Sequence, residues 1–336
     1  MPGVPKPPSL DLPQPVDDLR AVRKGDSVYL AWTVPSQTTD HFALRHPGPT
    51  HICWSADAAP TDCANPPAEA PASQAQTASS KSSTQASYAD SIPSALLSES
   101  PGSQIFYAVS VLSDRGKSAG LSNVVSVPAV GALPPPSGFA AQVTAGGVVL
   151  NWTRVSPPPA KKGVRYLYRV YRRPEGMGPD TVAGEVALDA SEVVDHSFEW
   201  EKKYSYRATV VTLLEEEGKP EIQFEGDDTA AVNVFAHDVF PPAVPVGLQA
   251  VFSGPGQPPF VDLIWAPDTD ADLAGYNVFR HQAGSEPVKI NSDLVTTPVF
   301  RDANLASGST YTYSVSAVDA RGNESGKSQE ASESVP

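Results

Sequence analysis

FAAQVTAGGVVLNW, residues 139–152, decides the fold. Phe139, Ala141 and Val143, then Val148, Leu150 and Trp152, take every second position of two short runs, with Gly146 and Gly147 at the turn between them. Apolar residues at period two, bounded by glycine, mark strands that each bury one face. YRVYR at 168–172 and YSYRATV at 204–210 carry the alternation further along the chain.

The series occurs three times, at intervals of about a hundred residues. Upstream, Leu19, Ala21, Val28, Leu30 and Trp32 match it without a gap around the turn Lys24, Gly25, Asp26. Downstream, Leu248, Ala250, Phe252, Val261, Leu263 and Trp265 match it around a longer turn, SGPGQPP. YNVFR at 276–280 aligns with YRVYR, and YTYSVSA at 311–317 with YSYRATV. In the first copy the corresponding runs are HICWS and IFYAVSV, so Ile105 stands where the others have Tyr204 and Tyr311. Trp32 with Tyr107, Trp152 with Tyr206 and Trp265 with Tyr313 are the paired aromatic residues of the three copies.

A proline-led first strand, a Trp ending the second, a YxVxR-like third and a Leu six residues before a Tyr near the start of the sixth make this pattern similar to the fibronectin type III superfamily. The last feature is Leu305 with Tyr311, and in weaker form Phe198 with Tyr204; the first copy lacks it. The resemblance covers nearly the whole chain. It implies an all-β fold of three tandem immunoglobulin-like antiparallel sandwiches in an elongated array, the Trp and Tyr residues serving their cores. It implies no activity, because folds carry sites and not functions.

Composition agrees: 336 residues suit about three domains, and 35 Pro with 24 Gly suit many short strands and turns. Proline clusters at 127–138 (VPAVGALPPPSG) and 238–247 (DVFPPAVPVG) read as short semi-rigid linkers. The expected division is an extended Pro-rich tail over 1–15, poorly ordered until Val16, then domains over 16–130, 131–240 and 241–336. The Trp-to-Tyr distance is 75 positions in the first copy against 54 and 48 in the others. The surplus coincides with PPAEAPASQAQTASSKSSTQAS, too poor in large apolar side chains to offset the entropy of ordering itself. It reads as a solvated insertion, or as a flexible or glycosylated loop reaching a partner.

A net charge of −14 argues against nucleic acid as a partner. Locally, KKGVRYLYRVYRR at 161–173 breaks the trend: with Tyr168 and Val170 inward, Arg165, Arg169, Tyr171 and Arg173 share the outer face. This stripe suits an acidic polymer or a sugar. It equally suits a solvated strand whose arginines pair with the acids of EEEGKPEIQFEGDD at 215–228.

Cys53 and Cys63 enclose nine residues including Pro60 and are expected to be bonded, which would contribute about 2–3 kcal/mol. The alternatives are two free thiols, or a metal set with His46 and His51 that lacks the paired spacing of structural zinc sites. DTDADLAG at 268–275 begins like a calcium loop, but Leu273 stands at its glycine position and Phe279 at its bidentate Glu position. Asn151 and Asn323 open glycosylation sequons.

No nucleophile elbow, zincin helix, phosphate loop or dinucleotide fingerprint is present in the sequence. His41, His196, His237 and His281 have no partner visible at this level, and no catalytic residue, metal or cofactor is expected. The start at Met1-Pro2-Gly3 has no apolar signal core. Its Pro-rich character resembles the segment that follows a removed signal or a lipid-modified Cys in bacterial tandem fibronectin type III lipoproteins. The expected role is thus a non-catalytic extracytoplasmic spacer, or an adhesion protein binding protein or glycan at a cell surface. The alternative is a glycan-binding accessory region of a polysaccharide-degrading system.

Overall fold

The computed structural model describes residues 11–336 except 57, 64–67, 71–83, 99, 157, 177 and 257. The chain forms two compact units. The first comprises residues up to Val143 with Gly147–Phe198 and Lys202–Phe235, and the second comprises Thr144–Gly146, Glu199–Glu201 and Ala236–Pro336.

The first unit begins with β1 (Arg20–Lys24), β2 (Ser27–Thr33), β3 (Pro47–Ser55), β4 (Ala68–Ala70), β5 (Gln85–Ser91), β6 (Gln104–Ser113) and β7 (Val125–Pro128). β1, β2 and β5 pair antiparallel, and β4, β3, β6 and β7 form the opposing sheet in that order. Between the sheets Val28, Leu30 and Trp32 meet Ile52, Ile105 and Tyr107 in one buried cluster. Burial in β2 alternates along SVYLAWT, as a strand with one core face requires.

Next come β8 (Ser137–Thr144), β9 (Gly147–Thr153), β10 (Val164–Pro174), β11 (Thr181–Ala187), β12 (Glu192–Asp195), β13 (Lys203–Leu214), β14 (Ile222–Glu225) and β15 (Val232–Phe235). β8, β9 and β12 form a three-strand sheet, and β11, β10 and β13 are extended by both β15 and β14. Trp152 on β9 meets Tyr168 on β10 edge-on, ring centroids 5.0 Å apart.

The second unit repeats the plan with β16 (Gln249–Phe252), β17 (Phe260–Ile264), β18 (Leu273–His281), β19 (Val288–Lys289), β20 (Val299–Ala303), β21 (Ser309–Asp319) and β22 (Ala331–Val335). β16, β17 and β20 face β19, β18, β21 and β22 across a core of Leu263, Trp265, Tyr276, Val278, Tyr313 and Val315.

Tyrosine hydroxyls tie loops to these cores. Tyr168 accepts the Val155 N–H at 2.7 Å, and its counterpart Tyr276 accepts the Asp268 N–H at 2.9 Å. Tyr311 accepts the N–H of Ala306, next to buried Leu305, which is the corner anticipated from the six-residue spacing.

Three expectations change. The insertion is partly structured: Ala68–Ala70 form β4 and the end of the stretch begins β5, strands that pair with β3 and β2 and set the small side chains of Ala68, Ala70 and Ala86 at the core. Residues 66–67 and 71–83 of that stretch lie outside the described residues. In the tail, Pro13 bridges Thr38 and Thr39 donates its N–H to Leu12, so order begins before Val16; residues 1–10 lie outside the described residues.

The third change concerns the linker over 127–138, which is no open spacer at its start. Val127, Ala129 and Val130 are buried, and Val130 packs with Val164, Leu214 and Phe224. Beside this apolar plug β14 lies parallel to β1, Lys24 opposite Glu225, and Gly25 donates its N–H to the Glu225 carbonyl at 2.7 Å. Gly25 has φ +58, and a side chain there would run into Asp227. A single eight-strand sheet thus passes from the second copy into the first.

Candidate functional site

The residues anticipated for the stripe lie on β10, whose inner positions Tyr168 and Val170 are fully buried. Arg169 binds Glu185 at 2.6 Å and Glu225 at 2.9 Å. Glu225 meets Lys24 at 3.2 Å, Lys24 meets Asp228 at 2.8 Å, and Asp228 meets Arg207 at 2.9 Å. Arg207 continues to Asp180 at 2.9 Å, which also holds Arg173 at 2.7 Å. Tyr171 donates its hydroxyl to Glu225 and lies under the Arg207 guanidinium, 4.5 Å from its ring centroid. Arg165 stands apart, largely exposed, paired with Glu221 at 2.6 Å.

Four acids and four bases alternate in this chain of contacts, so it carries no spare positive charge. The electrostatics reflect the pairing. Hydrogen bonding from Arg173 leads the effects that hold the Asp180 carboxyl down to about 2. Burial pushes Glu225 up, but the hydrogen bonds from Tyr171 and Arg169 and the charge of Lys24 outweigh it and leave it below the ordinary range. Burial likewise lowers Arg169, and its contacts with Glu185, Tyr171 and Glu225 more than reverse this. Arg165, Arg169, Tyr171 and Arg173 are therefore engaged by the protein's own acids, among them Glu221 and Glu225 of the loop at 215–228, and Lys24 reaches Glu225 from across the joint.

A pH dependence follows. Carboxylates depressed in the folded state stabilise it fully above their unfolded pKa of about 4, and that contribution disappears as pH falls through the folded values. Thermal melts of the full chain should fall between about pH 4 and pH 2, and Glu225→Gln should flatten this dependence while costing about 1–3 kcal/mol at neutral pH. Identical pH profiles for the two proteins would remove Glu225 from the account.

Sequence reading missed a second recurring group. Asp195, 1% exposed, accepts the Tyr206 hydroxyl at 2.9 Å, Arg172 Nη1 at 2.9 Å, and the Ser197 N–H and hydroxyl at 2.8 and 2.7 Å. In the second unit Asp302 takes the Tyr313 hydroxyl and Arg280 Nη1, both at 2.9 Å. In the first copy Asp90 accepts from Tyr107 at 3.0 Å, with Ser55 standing at the arginine position. The available signal was an Asp eleven residues before the buried Tyr in the second and third copies. These groups staple one sheet to the other.

Cys53 and Cys63 are disulfide-bonded with Cα atoms 5.6 Å apart, which removes them from any metal set with His46 and His51; His51 instead meets Glu69 at 3.3 Å. In the DTDAD loop Asp268 accepts the Asp270 N–H, and Asp272 alone joins other acids, lying with Asp238 and Asp319 so that their oxygens fall within 4.8 Å of one another. Burial, and then the charges of Asp238 and Asp319, push Asp272 upward, while Arg321 reaches Asp238 at 3.3 Å. The Asn323 amide is engaged by the Asp238 carbonyl and Asp319, whereas Asn151 is exposed on β9.

Three strands packed on four or five, a Trp on the second strand or directly after it in each copy and a hydrogen-bonded Tyr on the sixth define an immunoglobulin-like sandwich. No family model matches the chain. It is 33% identical to an Fn3-like protein from Clostridium thermocellum, over 29% of this chain and 96% of that one, with a TM-score of 0.25. The chain belongs to the fibronectin type III superfamily. The FN1–FN3 domains of chicken CNTN1 match 96% of this chain and 99% of theirs at 14% identity and a TM-score of 0.28. Among curated proteins, 95 residues (28% of the chain) are 41% identical to an amylopullulanase of Thermoanaerobacterium thermosulfurigenes, and 89 residues (26%) are 42% identical to that of Thermoanaerobacterium saccharolyticum. The chain spans 5% and 6% of the lengths of these two relatives.

Proposed function

We propose that this chain is a non-catalytic accessory region of a polysaccharide-degrading system, working outside the cytoplasm as a structural and interaction module. The observation that carries the reading is the 41–42% identity to short segments of two amylopullulanases, each a small fraction of those proteins. Filled sandwich cores and a charge-balanced stripe on β10 suit a part that positions other domains and carries out no chemistry. The Cys53–Cys63 bond supports an oxidising compartment. Attachment at a cell surface, through a lipid or a protein partner, belongs to the same proposal. Fractionation of the source cells with an antibody to the chain tests it: the protein should accompany glucan-degrading activity in the envelope or medium. Residence in the cytoplasm with reduced cysteines, or release of reducing sugar from pullulan by the purified chain, would overturn it.

A further inference from the structure

The last strand of the first unit builds a recess that the stripe reading overlooked. β15 lies along β13 with Phe235 opposite Lys203 and Asn233 opposite Ser205, and β10 brings Arg173 opposite Ser205 from the other side. Together with Glu175 these side chains line an open depression of about 490 Å³. Its volume falls within the usual range of small-ligand sites, about 300–1,000 Å³. Phe235 is a large apolar side chain, yet it is 47% exposed there.

The chemistry of the lining selects among ligand classes. Arg173 is taken up bidentately by Asp180, both contacts at 2.7 Å, and Lys203 lies 3.6 Å from Glu175. The charges around the recess therefore cancel, and an anion would have to compete with these carboxylates for its cations. A purely apolar ligand would strip water from Asn233, Ser205 and Lys203 without replacing their hydrogen bonds. A neutral ring with hydroxyls on its rim and C–H groups on its faces meets both conditions: its face covers Phe235, and its hydroxyls exchange hydrogen bonds with Asn233, Ser205 and Glu175.

We propose that this depression, centred on Phe235 and Asn233, binds a sugar unit of a neutral oligosaccharide. The proposal deepens the accessory reading above and rests on it for biological purpose, while the binding itself stands or falls separately. Maltoheptaose and cellohexaose, titrated into the full chain by calorimetry, should show saturable binding by at least one of them, with little change between low and high salt because no net charge is involved. Phe235→Ala should weaken that binding about tenfold or more. Asn233→Ala, at an exposed strand position, should also weaken it and guards against a folding defect in the first variant. No saturable binding of either sugar, binding that both variants leave unchanged, or binding that collapses in salt would overturn the proposal. A chain that resides outside the cell with glucan-degrading activity yet binds neither sugar would lose the recess and keep the accessory reading; a cytoplasmic chain that binds through Phe235 would do the reverse.

Discussion

Asp195→Ala should destabilise the first unit by about 3–5 kcal/mol, read as a lower urea midpoint at unchanged slope. The carboxylate is 1% exposed and accepts four hydrogen bonds. Its loss leaves the Tyr206 hydroxyl without its acceptor inside the core and the Arg172 guanidinium, whose side chain is 14% exposed, without its counter-ion. Burial raises the Asp195 pKa, but hydrogen bonds from Ser197 and Tyr206 and the charge of Arg172 prevail, so the net shift is downward. Its contribution is thus complete above the ordinary carboxylate range and fades as pH falls through the depressed value. Asp195→Asn keeps one acceptor and loses the charge, so it should cost less and remove that part of the pH dependence. Asp302→Ala should behave alike in the second unit, while Asp90→Ala should cost less because no arginine completes its group. A shift under about 1 kcal/mol for Asp195→Ala would mean that the staple carries little of the fold's stability.

Trp152→Ala should cost a similar amount, about 3–5 kcal/mol, by opening a cavity between β9 and β10 where the indole now touches Tyr168 and Phe139. Trp152→Phe should cost less, about 1–2 kcal/mol. The indole N–H of Trp152 has no hydrogen-bond partner among the described residues, nor have those of Trp32 and Trp265, so the substitution forfeits ring volume and no polar contact. The place where the damage is felt distinguishes the structure from a string of independent domains. Because the sheet of the second copy continues into β1, hydrogen exchange should quicken in β2 as well as in β9. Protection in β2 identical to that of the unsubstituted chain would show that the joint does not transmit the loss.

Most strands and their inward faces were legible in the sequence, because alternation and the position of an aromatic residue report burial directly. Trp32, Trp152 and Trp265 are buried as read, and so are Tyr107, Tyr206 and Tyr313. Pairing across space was not legible. Arg172 and Arg280 look like ordinary strand-end cations until the second sheet brings Asp195 and Asp302 beneath them. The acid loop at 215–228 was a visible partner for the stripe, but Lys24 lies 201 positions from Glu225 and no local pattern announces it. Phe235 escaped notice because a short strand of four residues, VNVF, shows too little alternation to say which side faces solvent. The insertion misled for a related reason: β4 and β5 are held by backbone pairing and by small side chains, Ala68, Ala70 and Ala86, at the core, which leave little mark in hydropathy.

The contact between Lys24 and Glu225 also sets an order of events. Loop-closure entropy must be met before a contact of such sequence separation gives any return, so the seam between β1 and β14 is among the last parts of the first unit to close. At the pace of a ribosome, about 5–20 residues per second, β1 waits roughly 10–40 s for its neighbour to be made. Through that interval the first sandwich has a bare strand edge carrying Arg20, Arg23 and Lys24, and basic edge residues discourage premature pairing with another nascent chain. Two of these cations, Arg23 and Lys24, later take their places against Phe224 and Glu225, so they guard the edge during synthesis and lock it afterwards.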